Sequence, residues 1–179
     1  RCHYLLGQEN QAADFAARVM YDPATPDDIR RTAKLWNARI ACNQGQHSTV
    51  LQDLDELVTF GGSAGAEAQY LLAEHAFNTK NYDSCETMLF GLIENFYQQE
   101  PWRNKGFLLL VSTYIGLNDL FQARATAESI LTNVQAPDVQ ESVSDLLFDI
   151  DALEAAQNAP DVNTNGDQTP NQEPESNDE

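Results

Sequence analysis

The sequence predicts an all-α protein, an α-solenoid of helix-turn-helix repeats closed by a C-terminal capping helix. Three observations carry this. Apolar residues recur three and four apart between clusters of Gly, Pro and Asn, and no stretch alternates for long with a period of two. The segments "NYDSCETML" from Asn81 and "NDLFQARATA" from Asn118 state nearly the same pattern twice. A small residue near the start of each second helix, Ala12, Val50, Cys85 and Ala123, returns after 38, 35 and 38 residues. Ala16, Leu54, Leu89 and Ala127 follow four positions after each. A helical hairpin of that period cannot bury its apolar stripe alone. It does so by stacking on its neighbours, which requires a small residue at each close crossing.

The elements follow in order. The first unit keeps only Arg1 to Leu6 of its first helix before Gly7, then a second helix through Ala12 and Ala16. "DPATP" at Asp22–Pro26 is a turn, and Thr25-Pro26-Asp27-Asp28 reads as a helix start, with Pro26 in the first helical position and acids in the first turn. Further turns are expected at Asn43–Gly45, Gly61–Gly65, Asn78–Asn81, Glu100–Pro101, Asn118–Asp119 and Ala136–Asp138. Between them run two clear stripes. One is Tyr82, Cys85, Leu89, Leu92, Ile93 and Phe96; the other is Leu120, Ala123, Ala127, Ile130, Leu131 and Val134. From Asp138 to Gln157, Val139, Val143, Leu146, Leu147, Ile150 and Leu153 share a face opposite five acids, as a terminal helix with a wet outer surface requires. The organisation is therefore repeats over 1–135, a capping helix over 136–157 and an acidic tail over 158–179. The tail holds Val162 as its only sizeable apolar residue and is expected to be disordered.

The repeat residues resemble the tetratricopeptide repeat family. Its first helix carries a large residue, a Leu followed by a small residue, and an aromatic, and its second helix a small residue. Phe107, Leu110, Val111 and Tyr114, then Ala123, match best. Leu72, Ala73 and Ala76 precede Cys85 with Gln69 where an aromatic is usual, and Asn37, Ala38 and Ala41 precede Val50 with Asn37 in place of Leu. The spacings exceed the family's ~34 residues, so loops or helices run long; a related α-solenoid class is the alternative. The resemblance implies a right-handed solenoid whose first helices line a concave groove. That face would hold Leu35, Arg39 and Cys42, then Glu67, Tyr70, Glu74 and Phe77, then Lys105, Leu108, Ser112 and Ile115. Of these, Arg39, Tyr70, Glu74, Phe77, Lys105, Leu108 and Ser112 are the expected partner contacts. The apolar strip would take an amphipathic helix or extended peptide, with the Lys105 ammonium fixing a ligand acid. The competing reading packs Tyr70 and Phe77 against upstream repeats. The family's chaperone-tail clamp needs several basic groove residues, whereas Leu35, Leu71 and Leu109 stand at such places, so that role is not expected.

Charge narrows the partners. The formal net charge is −18, and the last 54 residues carry 13 acids and no Lys or Arg. Nucleic acid is not expected, because phosphate binding needs a basic face. No apolar run approaches the length of a membrane span. The chain begins at Arg1 in mid-pattern, which predicts upstream residues. The acidic, Asn-rich end and irregular repeats are similar to repeat proteins of the bacterial cell envelope; a cytoplasmic setting is the alternative.

Candidate chemistry is sparse. Cys2, Cys42 and Cys85 share no metal-like spacing and are read as small buried residues, with one disulfide plus a free thiol as the alternative. His3, His47 and His75 fall in three different hairpins without a ligand pair. Asp53, Asp55 and Glu56 read as a solvated face rather than a catalytic pair. Asp161, Asn163, Asn165, Gly166 and Asp167 match the first half of a calcium loop, but Pro170 interrupts it and its last ligand position falls on Gln172. No metal, no cofactor and no catalysis are expected. The reading is an interaction scaffold for a protein or peptide partner, or alternatively a non-catalytic helical-repeat domain appended to an upstream enzyme or sensor.

Overall fold

A computed structural model describes residues 8–158. Among them lie α1 (Glu9–Tyr21), α2 (Asp27–Asn43), a short 3-10 turn (His47–Thr49), α3 (Leu51–Phe60), α4 (Gly62–Asn78), α5 (Tyr82–Asn95), α6 (Glu100–Gly116), α7 (Leu120–Asn133) and α8 (Pro137–Gln157). The described residues are all-helical, as expected, and contain no strand. None of these helices is long and apolar enough to cross a membrane. Cys2, His3, the calcium-like stretch and all of the acidic tail but Asn158 lie outside the described residues.

Three of the turns are one turn repeated. After α2, Gly45 stands at φ 73°, after α4 Lys80 at φ 59° and after α6 Asn118 at φ 59°. Each donates its N–H to a carbonyl three residues back, Cys42, Phe77 or Ile115, at 2.9 Å. The following residue, Gln46, Asn81 or Asp119, donates to a carbonyl five back, Ala41, Ala76 or Tyr114, at 2.7, 2.9 and 2.9 Å. This pair of bonds is the Schellman C-cap, which needs one left-handed residue. The three left-handed residues are spaced by 35 and 38, the intervals of Val50, Cys85 and Ala123. The next helix then starts on a side-chain cap: Asn81 accepts from the Ser84 N–H at 3.4 Å and Asp119 from the Gln122 N–H at 3.0 Å. Asn81 is therefore the counterpart of Asp119, and Lys80 that of Asn118. The sequence motif lies one residue out of structural phase.

Packing runs along the chain. Each helix packs on its chain neighbours, and α2, α4, α6 and α8 also pack on one another in succession. The largest core cluster joins α4 to α8 through Ala73, Cys85, Leu89, Leu92, Val111, Ala123, Ala127, Val143 and Ile150; a second joins α2, α3 and the inner face of α4. Cys85 and Ala123 are fully buried, as small residues at close crossings must be.

Some boundaries differ from expectation. "GGSAG" is not a turn beyond Gly62: α4 begins there, and Gly65 is a helical residue whose absent side chain lets the α3 backbone approach. A Cβ at Gly65 would stand 3.1 Å from the Val58 carbonyl oxygen and 3.0 Å from the Phe96 ring. Pro26 is the N-cap of α2 rather than its first residue, and Glu100–Pro101 opens α6. In α8, Val139, Val143 and Ile150 are buried, whereas Leu153 is 40% and Phe148 74% exposed. Its last turns are tied down by charge instead: Arg124 of α7 bonds Asp151 and Glu154, the latter at 2.8 Å.

Candidate functional site

The expected groove residues divide into two groups. Arg39, Tyr70, Glu74 and Lys105 line one open depression of about 360 Å³, together with Asn43, Glu67, Leu71 and Trp102. Three helices, α2, α4 and α6, contribute to it. Their mutual packing sets these side chains side by side although those on different helices lie 24 to 66 residues apart in sequence. Phe77, Leu108 and Ser112 are not part of this depression. Phe77 meets Tyr82 edge-on at 5.6 Å and packs, like Leu108 and Ile115, against the main core cluster. Ser112 donates back to the Leu108 carbonyl at 3.2 Å. Leu35 and Cys42, expected on the same face, are buried in the second cluster.

Arg39 is committed. Its guanidinium bonds both oxygens of Glu67, the planar fork matching the carboxylate, and lies 4.4 Å from the centre of the Trp36 ring. The Glu67 side chain is only 5% exposed, so it needs this partner to be charged there. Tyr70 and Trp102 stand with ring centres 5.7 Å apart, inclined by 41°. The Lys105 ammonium lies 4.6 Å from the centre of Trp102 and 5.7 Å from that of Tyr70. Both distances fall within the range over which a ring face attracts a cation. Lys105 is exposed and makes no ion pair or hydrogen bond among the described residues.

Glu74 closes the other side. It accepts a long hydrogen bond of 3.4 Å from the Tyr70 hydroxyl, and its second oxygen lies 3.6 Å from His47 Nε2. Burial, then the Glu74 charge, push the Tyr70 phenol up to about 12. The same two causes push the Cys42 thiol up to about 11, which leaves it protonated and unreactive at neutral pH. Cys42 and Cys85 are both free and buried.

Two features escaped the sequence. Trp102 belongs to the depression, and its spacing of three from Lys105 was the available signal. His47 of the 3-10 turn and His75 of α4 stack at 5.6 Å. Among the described residues no group of three His, Cys, Asp or Glu side chains is arranged to hold a metal ion. Asp53 and Glu56 of α3 pair with Lys34 of α2, with Asp53 at 3.0 Å.

No family model, curated protein or solved structure matches this chain. The tetratricopeptide resemblance therefore rests on the residues that carry it.

Proposed function

We propose that this chain is a right-handed solenoid of tetratricopeptide-like hairpins acting as a protein-interaction scaffold, without catalysis of its own. The repeated Schellman turn at the spacing of the sequence repeat supports the solenoid, as does the succession of α2, α4, α6 and α8. The observation that carries the function is the cluster of two half-buried rings, Tyr70 and Trp102, with the exposed Lys105, in a depression that three helices of different hairpins build. Aromatic rings held rigidly at a surface supply contact area at low entropic cost, the usual character of a binding hot spot. The occupant is a peptide or a partner helix lying across α2, α4 and α6.

The test uses the whole chain as bait and a Tyr70→Ala/Trp102→Ala variant beside it. The expected result is a discrete partner held by the wild type and lost by a variant that still melts cooperatively. A folded variant that keeps every partner would remove the depression from the binding surface.

A further inference from the structure

We infer, resting on the groove reading above, that the ligand is a basic protein segment. One of its lysine or arginine side chains displaces Lys105 from Trp102 and Tyr70 and pairs with Glu74. Lys105 is then a tethered competitor that fills the site when no partner is bound, not an anchor for an acidic ligand.

Four observations lead there. The two inclined rings already hold an ammonium, at 4.6 and 5.7 Å, so their shape and polarity suit a cation. Among the described residues only those rings hold Lys105, and its side chain is exposed, so it can swing into water at little cost. With Lys105 withdrawn, the charge left in the depression is negative. Arg39 and Glu67 neutralise each other, while Glu74 keeps one long hydrogen bond and a 3.6 Å approach from His47. Finally, the chain carries −18, a field that draws basic partners and repels acidic ones. An acidic ligand would gain Lys105 but face Glu74 and that whole field. The depression is open and crosses three helices, which suits a length of polypeptide.

Two labelled amphipathic peptides, identical except for Lys or Glu on the polar face, test this by fluorescence anisotropy on the full chain at near-physiological salt. The Lys peptide should bind. Lys105→Ala should tighten it several-fold, whereas Lys80→Gln, an equal change in net charge, should not. Trp102→Leu should weaken it about tenfold and Glu74→Gln several-fold, with Asp145→Asn inert. Binding of the Glu peptide that Lys105→Ala abolishes would overturn the inference and leave the groove reading standing. Binding of the Lys peptide that ignores Trp102→Leu and Lys105→Ala would be charge attraction alone, and would also overturn it. If neither peptide binds the wild type or Lys105→Ala, both readings fall.

Discussion

The Cys85 sulfur and the Thr113 hydroxyl oxygen meet 3.2 Å apart where α5 crosses α6, and both residues are fully buried. Thr113 also bonds the Leu109 carbonyl at 2.7 Å. Its single hydroxyl proton goes to that carbonyl, so the thiol donates to the threonine oxygen. Burial holds the Cys85 thiol above its ordinary value, which keeps that proton in place. A larger side chain here has nowhere to go. Cys85→Leu should cost ~1–3 kcal/mol in urea unfolding, the usual effect of overpacking a dense core. Cys42 is buried as well, so Cys42→Leu should also destabilise, although the sequence placed it beside open space. A Cys85→Leu protein as stable as the wild type would contradict the close crossing that the repeat implies.

Gly65 gives a second test of close approach. In an exposed helix Gly→Ala adds ~1 kcal/mol of stability. Here the new methyl would meet the Leu57 and Val58 carbonyl oxygens at 3.3 and 3.1 Å, and backbone cannot step aside as a side-chain end can. Gly65→Ala should therefore lower the thermal midpoint. A raised midpoint would mean α3 and α4 separate easily.

The period was legible in sequence because close crossings admit few residue types: Cys85 and Ala123 both had to be small. The phase of these residues was legible too, since Val50, Cys85 and Ala123 each stand five after a left-handed residue; only the pairing of Asn81 with Asn118 slipped by one, because Lys80 occupies a left-handed position that Gly or Asn normally fills. "GGSAG" misled for the opposite reason. Gly65 is there for contact with the α3 backbone rather than for a turn, and contact is a tertiary property. The site was half legible. The tetratricopeptide resemblance implied Tyr70, Glu74 and Lys105 on one face, but Trp102 entered through inter-helix packing. Tyr70 and Trp102 pack against the core as Phe77 and Leu108 do; what separates them is which of these half-buried side chains border the depression, and one-dimensional spacing cannot show that.

Alkaline pH should destabilise the fold in a defined window. Tyr70 and Tyr114 are both pushed up to about 12, by burial first and then by Glu74 and Glu86 respectively. The unfolded chain loses these phenolic protons near ~10. Between those values the unfolded state binds fewer protons than the folded one, so the stability these two phenols contribute is intact below pH ~10 and is lost as pH rises toward 12. Tyr70→Phe and Tyr114→Phe should each make that decline shallower. Chemical denaturation at pH 9 and pH 11 measures it, and an unchanged slope in both variants would show that the two phenols are not the cause.

The Arg39–Glu67 pair yields the last prediction. Glu67 is 5% and Arg39 28% exposed at the side chain, so removing the guanidinium strands a buried carboxylate. Arg39→Met should cost about 3 kcal/mol, most of it the penalty for that unpaired charge rather than the worth of the pair. Removing both charges tests the distinction. Arg39→Met/Glu67→Leu should recover most of the loss, because a buried ion pair replaced by apolar residues of similar size is often neutral. The double variant also separates structure from binding. If the pair only fixes α2 against α4, the refolded double variant should bind a groove ligand as the wild type does. If it weakens binding tenfold at restored stability, Arg39 or Glu67 touches the ligand directly, and the free charge of the depression must be counted again with both residues included.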